Sequence, residues 1–123
     1  MILLDTNILV EYYRGNEEIR DELQQIGYDT LGVSVITVME LLYGARNKEE
    51  LERLKKSLYS LHQFYLTPAI SIRAVDLIKL YAKSHTLQIP DALIAATALE
   101  EDIPLYTMNV KDFQFISQIN LYS

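Results

Sequence analysis

The opening residues place the tightest constraint on how this chain can fold. Residues 2–4 (Ile-Leu-Leu) form an apolar run without alternation, which is typical of a strand buried on both faces. Asp5, Thr6 and Asn7 follow directly, and such a polar break predicts a turn from the strand into a helix. Because ligands of open α/β sheets bind outside the carboxyl ends of the strands, this pattern brings the Asp5 carboxylate to the edge of a site.

The rest of the chain alternates short apolar runs with amphipathic stretches. Strands are predicted at residues 31–36, 64–67 and 104–107, with a final edge strand at 119–122. Helices are predicted at residues 8–13, 17–26, 37–46, 49–61, 72–83 and 91–102, the fifth of them capped by Ser71. This alternation predicts one α/β domain over residues 1–123, a three-layer sandwich in which helices flank a central, mostly parallel sheet of four to five strands.

Composition excludes several classes of function. The 123 residues contain no cysteine, so disulfides, thiolate metal sites and cysteine nucleophiles are excluded. No apolar stretch approaches the ~20 residues that cross a bilayer, and the N-terminus lacks a secretory signal pattern, so we expect a cytoplasmic protein with no membrane partner. His62 and His85 lie in amphipathic helical stretches, where we expect a structural role.

The charge balance is acidic. Seventeen acidic residues oppose eleven basic ones, which gives a formal net charge of −6. A protein that binds nucleic acid by electrostatics alone usually has a basic surface. The balance does not count against an enzyme that meets phosphate through divalent cations, because its acidic side chains then serve as ligands.

Acidic side chains recur where the predicted strands give way to helices. Asp5 follows the first strand, Glu40 lies in the first turn of the helix after the second, and Asp91 lies in the first turn of the most apolar helix. Asn109 follows the fourth strand, and Asp112 comes three residues later. These points share one edge of a parallel sheet, so the carboxylates would repel one another unless a cation lies between them. Hard oxygen ligands suit Mg²⁺ or Mn²⁺, which can activate a water for attack on a phosphodiester.

Each acid also has a purely structural interpretation. Thr37 and Glu40 match a capping box, in which Glu40 only stabilises a helix end. Asp91, after Pro90, could complement the positive end of its helix, and Asp5 could be a turn residue. Spacing alone leaves the structural and the metal-binding interpretations equally open.

Three segments together resemble the PIN domain and, more narrowly, the VapC-type toxins of bacterial and archaeal toxin–antitoxin pairs. They are MILLDTNILVEYYRG, SVITVMELLYGA and IPDALIAATALEEDIPLYTMNVKDF, and they span residues 1–115. The resemblance implies a PIN-like fold and a Mg²⁺- or Mn²⁺-dependent endoribonuclease directed at structured RNA such as tRNA or ribosomal RNA. It also implies a cognate VapB-type antitoxin that occupies the active-site groove, and a homodimer.

The resemblance assigns roles by position. Asp5, Glu40 and Asp91 match the three acids of the family, and Asn109 stands at a fourth catalytic position that is often Asp. We hypothesise that Asp5 and Asp91 hold one divalent ion, and that Glu40 holds a bound water and helps to deprotonate it. Hydrolysis would then leave a 3′-hydroxyl and a 5′-phosphate. Asn109 departs from a fully acidic set, which favours one ion over two.

Other polar residues are secondary candidates. Thr6, Asn7 and Thr107 are expected to support the acids through hydrogen bonds. Asp112 either reaches the site through water or, as we favour, fixes its own loop by bonding nearby backbone N–H groups. A basic rim for RNA is expected in the loops that border the site, formed by Arg14, Arg46, Lys48 and Lys111.

Two rival functions stay open. The chain could be a catalytically impaired PIN-like module that binds RNA or a protein partner, which Asn109 favours and retention of the three acids opposes. It could instead be a phosphatase that passes through an aspartyl-phosphate. Such enzymes need a second acid two residues after the nucleophile, where this chain has Asn7, and a lysine for which Lys111 is only a loose candidate.

Overall fold

A short parallel sheet forms the centre of the molecule. In the computed structural model, which describes residues 1–123, its strands are β1 (Ile2–Leu4), β2 (Leu31–Ser34), β3 (His62–Phe64) and β4 (Leu105–Tyr106). All pairings are parallel, and the spatial order is β3-β2-β1-β4. In the register of the sheet, Leu3 pairs with Gly32 on one side and with Leu105 on the other. The predicted α/β class with a parallel sheet is confirmed.

Six helices connect and cover the strands. They are α1 (Thr6–Tyr13), α2 (Glu17–Ile26), α3 (Val35–Tyr43), α4 (Lys48–Tyr59), α5 (Pro68–His85) and α6 (Ile89–Glu101), with 3₁₀ turns at Tyr28–Thr30 and Val110–Asp112. Side-chain caps fix several of the helix starts. Asn16 accepts a hydrogen bond from the backbone N–H of Ile19 at 3.2 Å, and Asn47 accepts one from Glu50 at 2.9 Å. No helix combines the length and the hydrophobicity that crossing a bilayer requires.

Strand β1 is buried on both faces, as its unbroken apolar run predicts. Leu3 packs with residues of α5 and α6 such as Ile70 and Ile94, whereas Leu4 packs with residues of α1, α2 and α4 such as Ile8. Consecutive strand residues point to opposite faces of a sheet, so the two leucines belong to different halves of the core. Each fully buried leucine contributes about 1.5–3 kcal/mol relative to an exposed one.

The strand order produces a crevice between β1 and β4. The chain moves from β1 through β2 to β3 on one side, and β4 then returns to the other side of β1. The loops that leave β1 and β4 therefore diverge, and this reversal is where open α/β sheets bind ligands. Asp5 and Thr107, the residues directly after these two strands, meet at the crevice.

Two predicted boundaries are wrong because a side-chain cap ends a strand or begins a helix earlier than the apolar pattern suggests. Strand β2 ends at Ser34 rather than at residue 36, since Ser34 Oγ accepts a hydrogen bond from the backbone N–H of Ile36 at 3.1 Å and begins α3. Helix α5 begins at Pro68 rather than after Ser71, since Thr67 caps it. Proline suits the first turn of a helix, because the backbone N–H groups of that turn have no partner within the helix and proline lacks this group.

Two other predictions shift with the strands. Strand β3 lies at residues 62–64, two residues earlier than predicted, so His62 belongs to a strand and not to a helical stretch. The predicted final strand is reduced to one parallel bridge between Leu121 and Leu105. That bridge still attaches the C-terminal residues to the edge of the sheet beside β4.

Candidate active site at the carboxyl edge of the sheet

Asp5 is the most firmly held of the predicted acids. It is the N-cap of α1, and only 5% of its surface is exposed. Its Oδ1 accepts a hydrogen bond from the backbone N–H of Thr6 at 2.8 Å, and its Oδ2 accepts one from Thr107 Oγ1 at 2.7 Å. Burial raises the pKa of the Asp5 carboxyl, and the two hydrogen bonds offset part of that rise because they favour the charged form.

Thr6 connects Asp5 to Glu40. Its hydroxyl donates to Glu40 Oε1 at 2.8 Å and lies 3.0 Å from the hydroxyl of the buried Thr37. A hydroxyl has one proton to give, so Thr37 is the donor to Thr6 when Thr6 donates to Glu40. Glu40 therefore has a fixed position beside Asp5, although its side chain is exposed to solvent.

This arrangement excludes the capping-box interpretation of Glu40. Ser34, not Thr37, caps α3, so Glu40 lies in the second turn of that helix rather than the first. Its carboxylate faces Thr6 of another helix and does not reach back to a cap backbone N–H. A side chain that contributes nothing to the helix end is free to take part in a site.

Asp91, on helix α6, is the third of the predicted acids. It lies in the first turn of that helix, is half-buried, and makes no side-chain hydrogen bond to the protein. Burial, reinforced by the charges of Asp5, Asp112 and Glu40, raises the pKa of Asp91 to about 6. The charges of four carboxyl groups at this edge of the sheet thus act on one another.

Hydrogen bonds join the segment after β4 to the start of α1. Thr107 Oγ1, which donates to Asp5, accepts from the backbone N–H of Asn109 at 3.0 Å, and Asn7 Oδ1 accepts from the backbone N–H of Met108 at 3.3 Å. The predicted supporting role of Thr107 and Asn7 therefore has a geometric basis. Asn109 contributes a backbone group here, and its side chain is exposed without a hydrogen bond to the protein.

Asp112 is closer to the acids than the sequence suggested. The favoured prediction was that its carboxylate bonds backbone N–H groups of its own loop, and no such bond is present. Instead, the negative charge of Asp112 raises the pKa of Asp91, and its effect is larger than the effect of the Glu40 charge. The loop-fixing prediction is therefore wrong. Sequence patterns missed this because the 3₁₀ turn Val110–Asp112 has no strong local signal.

The donor set suits a hard divalent cation. None of the four acids, Asp5, Glu40, Asp91 and Asp112, forms an ion pair with lysine or arginine. Carboxylate oxygens that no lysine or arginine neutralises are suitable ligands for Mg²⁺ and Mn²⁺. No three acidic or histidine side chains are already gathered at metal-ligating distances. The fit therefore rests on the chemistry of the donors, and the residues would have to close around an ion.

A groove of about 890 Å³ leads away from Thr6 and Glu40 between α1, α3 and α4. Of the four predicted rim residues, Arg14 and Arg46 line this groove, whereas Lys48 and Lys111 do not. Arg53 and Glu50 of α4 also line the groove, and the sequence pattern did not identify either of them as a rim residue. Glu50 and Arg53 are three residues apart, and this spacing places both side chains on one face of α4, which is the signal in the sequence that could have identified them.

Neither histidine shows a catalytic setting. Both are exposed, and both contact aromatic rings: His62 lies edge-on to Phe64 at 4.5 Å, and His85 stacks on Phe115 at 4.2 Å between ring centroids. Neither acts on the pKa of Asp5 or Asp91. The structural role predicted for the two histidines is consistent with these contacts.

The chain is similar to known proteins over nearly its whole length. Residues 2–115 match the family model described as PIN domain. The chain is 36% identical over 121 residues to ribonuclease VapC10 of Mycobacterium tuberculosis, covering 97% of this chain and 90% of that protein. It is 31% identical over 130 residues to ribonuclease VapC of Rickettsia bellii, covering 98% and 93%.

Solved structures give the same result at the level of the fold. A toxin–antitoxin complex from Klebsiella pneumoniae contains a chain with a TM-score of 0.83 and 32% identity, covering 97% of this chain and 95% of that one. VapBC2 from Rickettsia felis, solved bound to a DNA fragment from its promoter, gives a TM-score of 0.81 at 26% identity, with 99% and 98% covered.

Proposed function

The chain belongs to the PIN-domain family as a VapC-type member, and from this premise we propose that it is a divalent-metal-dependent endoribonuclease. The observation that carries the proposal is the group of four uncompensated carboxyl groups at the carboxyl edge of the sheet. Within it, Asp5 is buried and held by two hydrogen bonds, and the pKa of Asp91 is raised to about 6. The relatives named as ribonucleases support the reaction class.

Asp5, Asp91 and Glu40 are the residues proposed to hold Mg²⁺ or Mn²⁺. When bound, the ion would supply an activated water and offset negative charge on the phosphodiester. Thr107 and Thr6 donate hydrogen bonds that favour the charged form of Asp5 and orient its carboxylate, as outer-shell partners do. Asp112 is a further proposed acid at this edge, and Asn109 supports the loop through its backbone.

Glu40 is the residue proposed to accept the proton of the attacking water. Its carboxylate is exposed but fixed by Thr6, so it can accept that proton without moving. Water oxygen bonds to phosphorus, the bond from phosphorus to the 3′-oxygen breaks, and that oxygen takes up a proton. The products are a 3′-hydroxyl and a 5′-phosphate. We propose structured RNA such as tRNA or ribosomal RNA, in the cytoplasm, as the substrate.

The proposed biological setting is a toxin–antitoxin pair. Solved neighbours include complexes titled as toxin–antitoxin and VapBC assemblies, which supports a VapB-type antitoxin as the partner of this chain. We also propose a homodimer. Its support is the set of exposed apolar side chains on α3 and α5, namely Met39, Tyr43, Ile72 and Val75. A monomer at all concentrations in analytical ultracentrifugation would contradict the dimer.

Induced expression in a growing culture tests the enzymatic proposal. Wild type is compared with Asp5→Asn, and cellular RNA is sequenced for new 5′-phosphate ends. Growth arrest with a few discrete cleavage sites is expected for wild type only. Asp76→Asn is the matched control, because Asp76 is exposed on α5 and makes no ion pair. If wild type folds but neither cuts RNA nor slows growth, the catalytically impaired binding module replaces this proposal.

A further inference from the structure

The groove beside the acids follows one face of α1. Thr6, Val10 and Tyr13 line it on that helix, followed by the C-cap residue Arg14, and at 1.5 Å per residue this lining extends for about 12 Å. The opposite wall comes from α3 and α4. The groove begins at Thr6 and Glu40, so it opens directly onto the acid group.

The groove is locally cationic in an acidic protein. Arg14, Arg46 and Arg53 line it, three of the five arginines in a chain of net charge −6. Glu50 lies between Arg46 and Arg53: it accepts a hydrogen bond from Arg46 Nε at 2.8 Å, and both guanidinium groups lower the pKa of its carboxyl. Against these three cations the lining has two acids, Glu40 and Glu50.

The arginines differ in how many donors they have left. Arg14 pairs loosely with Glu11 at 3.5 Å, and Arg46 uses Nε on Glu50 while its two terminal nitrogens stay free. Arg53 forms no ion pair. Its guanidinium keeps all of its donors for a ligand, and its fork geometry suits phosphate oxygens.

The groove also has an apolar floor. Val10, Leu41 and Leu54 lie among its lining residues, together with Tyr13. The Tyr13 hydroxyl donates to Ser57 Oγ at 2.8 Å, which holds the ring in place between α1 and α4. Unpaired bases bury their faces on apolar and aromatic side chains, whereas the bases of a duplex are already stacked.

We propose that this groove binds an unpaired RNA segment next to the scissile bond, with Arg53 as a phosphate-binding residue. The proposal rests on the proposed ribonuclease function, because it places the scissile phosphate at the acid group. A strand with that phosphate beside Asp5 meets the groove at Thr6 and Glu40. Its following phosphates then lie along the arginines, while its bases face the apolar floor. This continuity favours RNA over an acidic protein segment as the occupant.

Binding measurements in the Asp5→Asn background test the proposal without turnover. The probe is a fluorescently labelled, unstructured 12-nucleotide RNA in EDTA buffer, read by fluorescence anisotropy over a series of salt concentrations. Arg53→Gln should weaken binding roughly 3- to 10-fold and reduce the slope of log K against log salt by about 0.7, the value for one phosphate contact on a single strand. Arg53→Lys should recover part of the affinity, because a lysine keeps the charge but not the fork.

Lys56→Gln is the matched control, since Lys56 is exposed on the same helix, forms no ion pair and does not line the groove. It should leave both affinity and salt slope unchanged. The same 12-mer annealed to its complement should show no difference between Arg53→Gln and Lys56→Gln. Circular dichroism and melting curves confirm that each variant is folded.

The proposal is overturned if Arg53→Gln and Lys56→Gln bind the single strand equally. It is also overturned if Arg53→Gln keeps its affinity for RNA and instead loses a protein partner that co-purifies with the wild type. A separate cleavage assay with the Arg53→Gln protein tests the enzyme itself. There a raised KM with an unchanged kcat is expected. Failure of wild type to cleave any RNA would overturn the ribonuclease function, whereas the anisotropy result stands independently of it.

Discussion

Thr107 Oγ1 donates a hydrogen bond to Asp5 Oδ2 at 2.7 Å, across 102 positions of sequence. The bond spans the crevice between β1 and β4, where the order of the sheet reverses. The same hydroxyl accepts from the backbone N–H of Asn109, so one side chain aligns both the acid and the loop that follows β4.

Thr107→Val should weaken the site while keeping the fold. Removing a hydrogen bond to the charged form raises the pKa of Asp5 further, so the carboxylate becomes a poorer ligand. We expect a 10- to 100-fold loss of Mn²⁺ affinity or cleavage rate, the usual range for outer-shell partners. Calorimetric titration with Mn²⁺ measures the affinity. Thr97→Val is the control, because Thr97 is also buried but donates to the Leu93 carbonyl within α6.

Thr6→Val should lower activity by releasing Glu40. The hydroxyl that donates to Glu40 is lost, whereas the backbone N–H that donates to Asp5 is kept. The expected result is a kcat reduced by about 10-fold, less than the roughly 10²- to 10⁴-fold loss of removing a positioned acid–base group, because Glu40 itself is kept. Thr6→Ser keeps the hydroxyl and should retain most of the rate. Equal kcat values for the valine and serine variants would show that Glu40 needs no support from Thr6.

Asp91→Asn should stabilise the protein in the absence of metal. The folded pKa of Asp91 is raised to about 6, above its ordinary 3.8, so the folded state binds this proton more tightly than the unfolded state. Its ionisation therefore destabilises the fold progressively as pH rises from about 4 to 6. Since Asp91 is only half-buried, we expect a gain of about 1 kcal/mol at pH 7.5, or about 3–5 °C in Tm.

Melting curves in EDTA at several pH values measure this effect. The difference between Asp91→Asn and wild type should disappear below about pH 3, where wild-type Asp91 is protonated in both the folded and the unfolded state. Asp76→Asn, on the exposed surface of α5, should change Tm little at any pH. A variant less stable than wild type at pH 7.5 would contradict a repulsive acid cluster.

Added Mn²⁺ should raise the Tm of wild type and have little effect on Asp5→Asn. A ligand at 100 times its Kd stabilises the folded state by about 2.7 kcal/mol. Losing one buried carboxylate removes a hard ligand and part of the repulsion that the ion relieves. Differential scanning fluorimetry with and without excess EDTA measures both proteins. Equal Mn²⁺-induced shifts in the two would place the ion elsewhere on this acidic surface.

Asp112→Asn and Asn109→Ala separate the two candidates for the fourth position. The charge of Asp112 raises the pKa of Asp91, so its removal should lower that pKa. We expect Asp112→Asn to reduce Mn²⁺ affinity and Asn109→Ala to leave it unchanged, because Asn109 contributes only a backbone N–H. Titration of Asp91 by NMR follows the pKa directly. A loss of affinity in Asn109→Ala would restore the side chain of Asn109 to the site.

The sequence by itself determined the order of strands and helices and placed three acids at one edge of the sheet. A short unbroken apolar run that ends in a polar break favours a strand buried on both faces, and the carboxyl ends of parallel strands share one edge of the sheet. Asp5, Glu40 and Asp91 were accessible to this reasoning. Local caps decided the boundaries that it missed, since Ser34 and Thr67 stop or start an element through single hydrogen bonds that hydrophobic periodicity does not record.

Only the tertiary structure decided which acids interact and what fixes them. The bond from Thr107 to Asp5, the bond from Thr6 to Glu40 and the approach of Asp112 each join parts of the chain that no local pattern links. Arg53 likewise became a groove residue because α4 packs against α3, facing α1 across the groove. Spacing sets the face of one helix, but the neighbour of that face depends on how the whole chain packs.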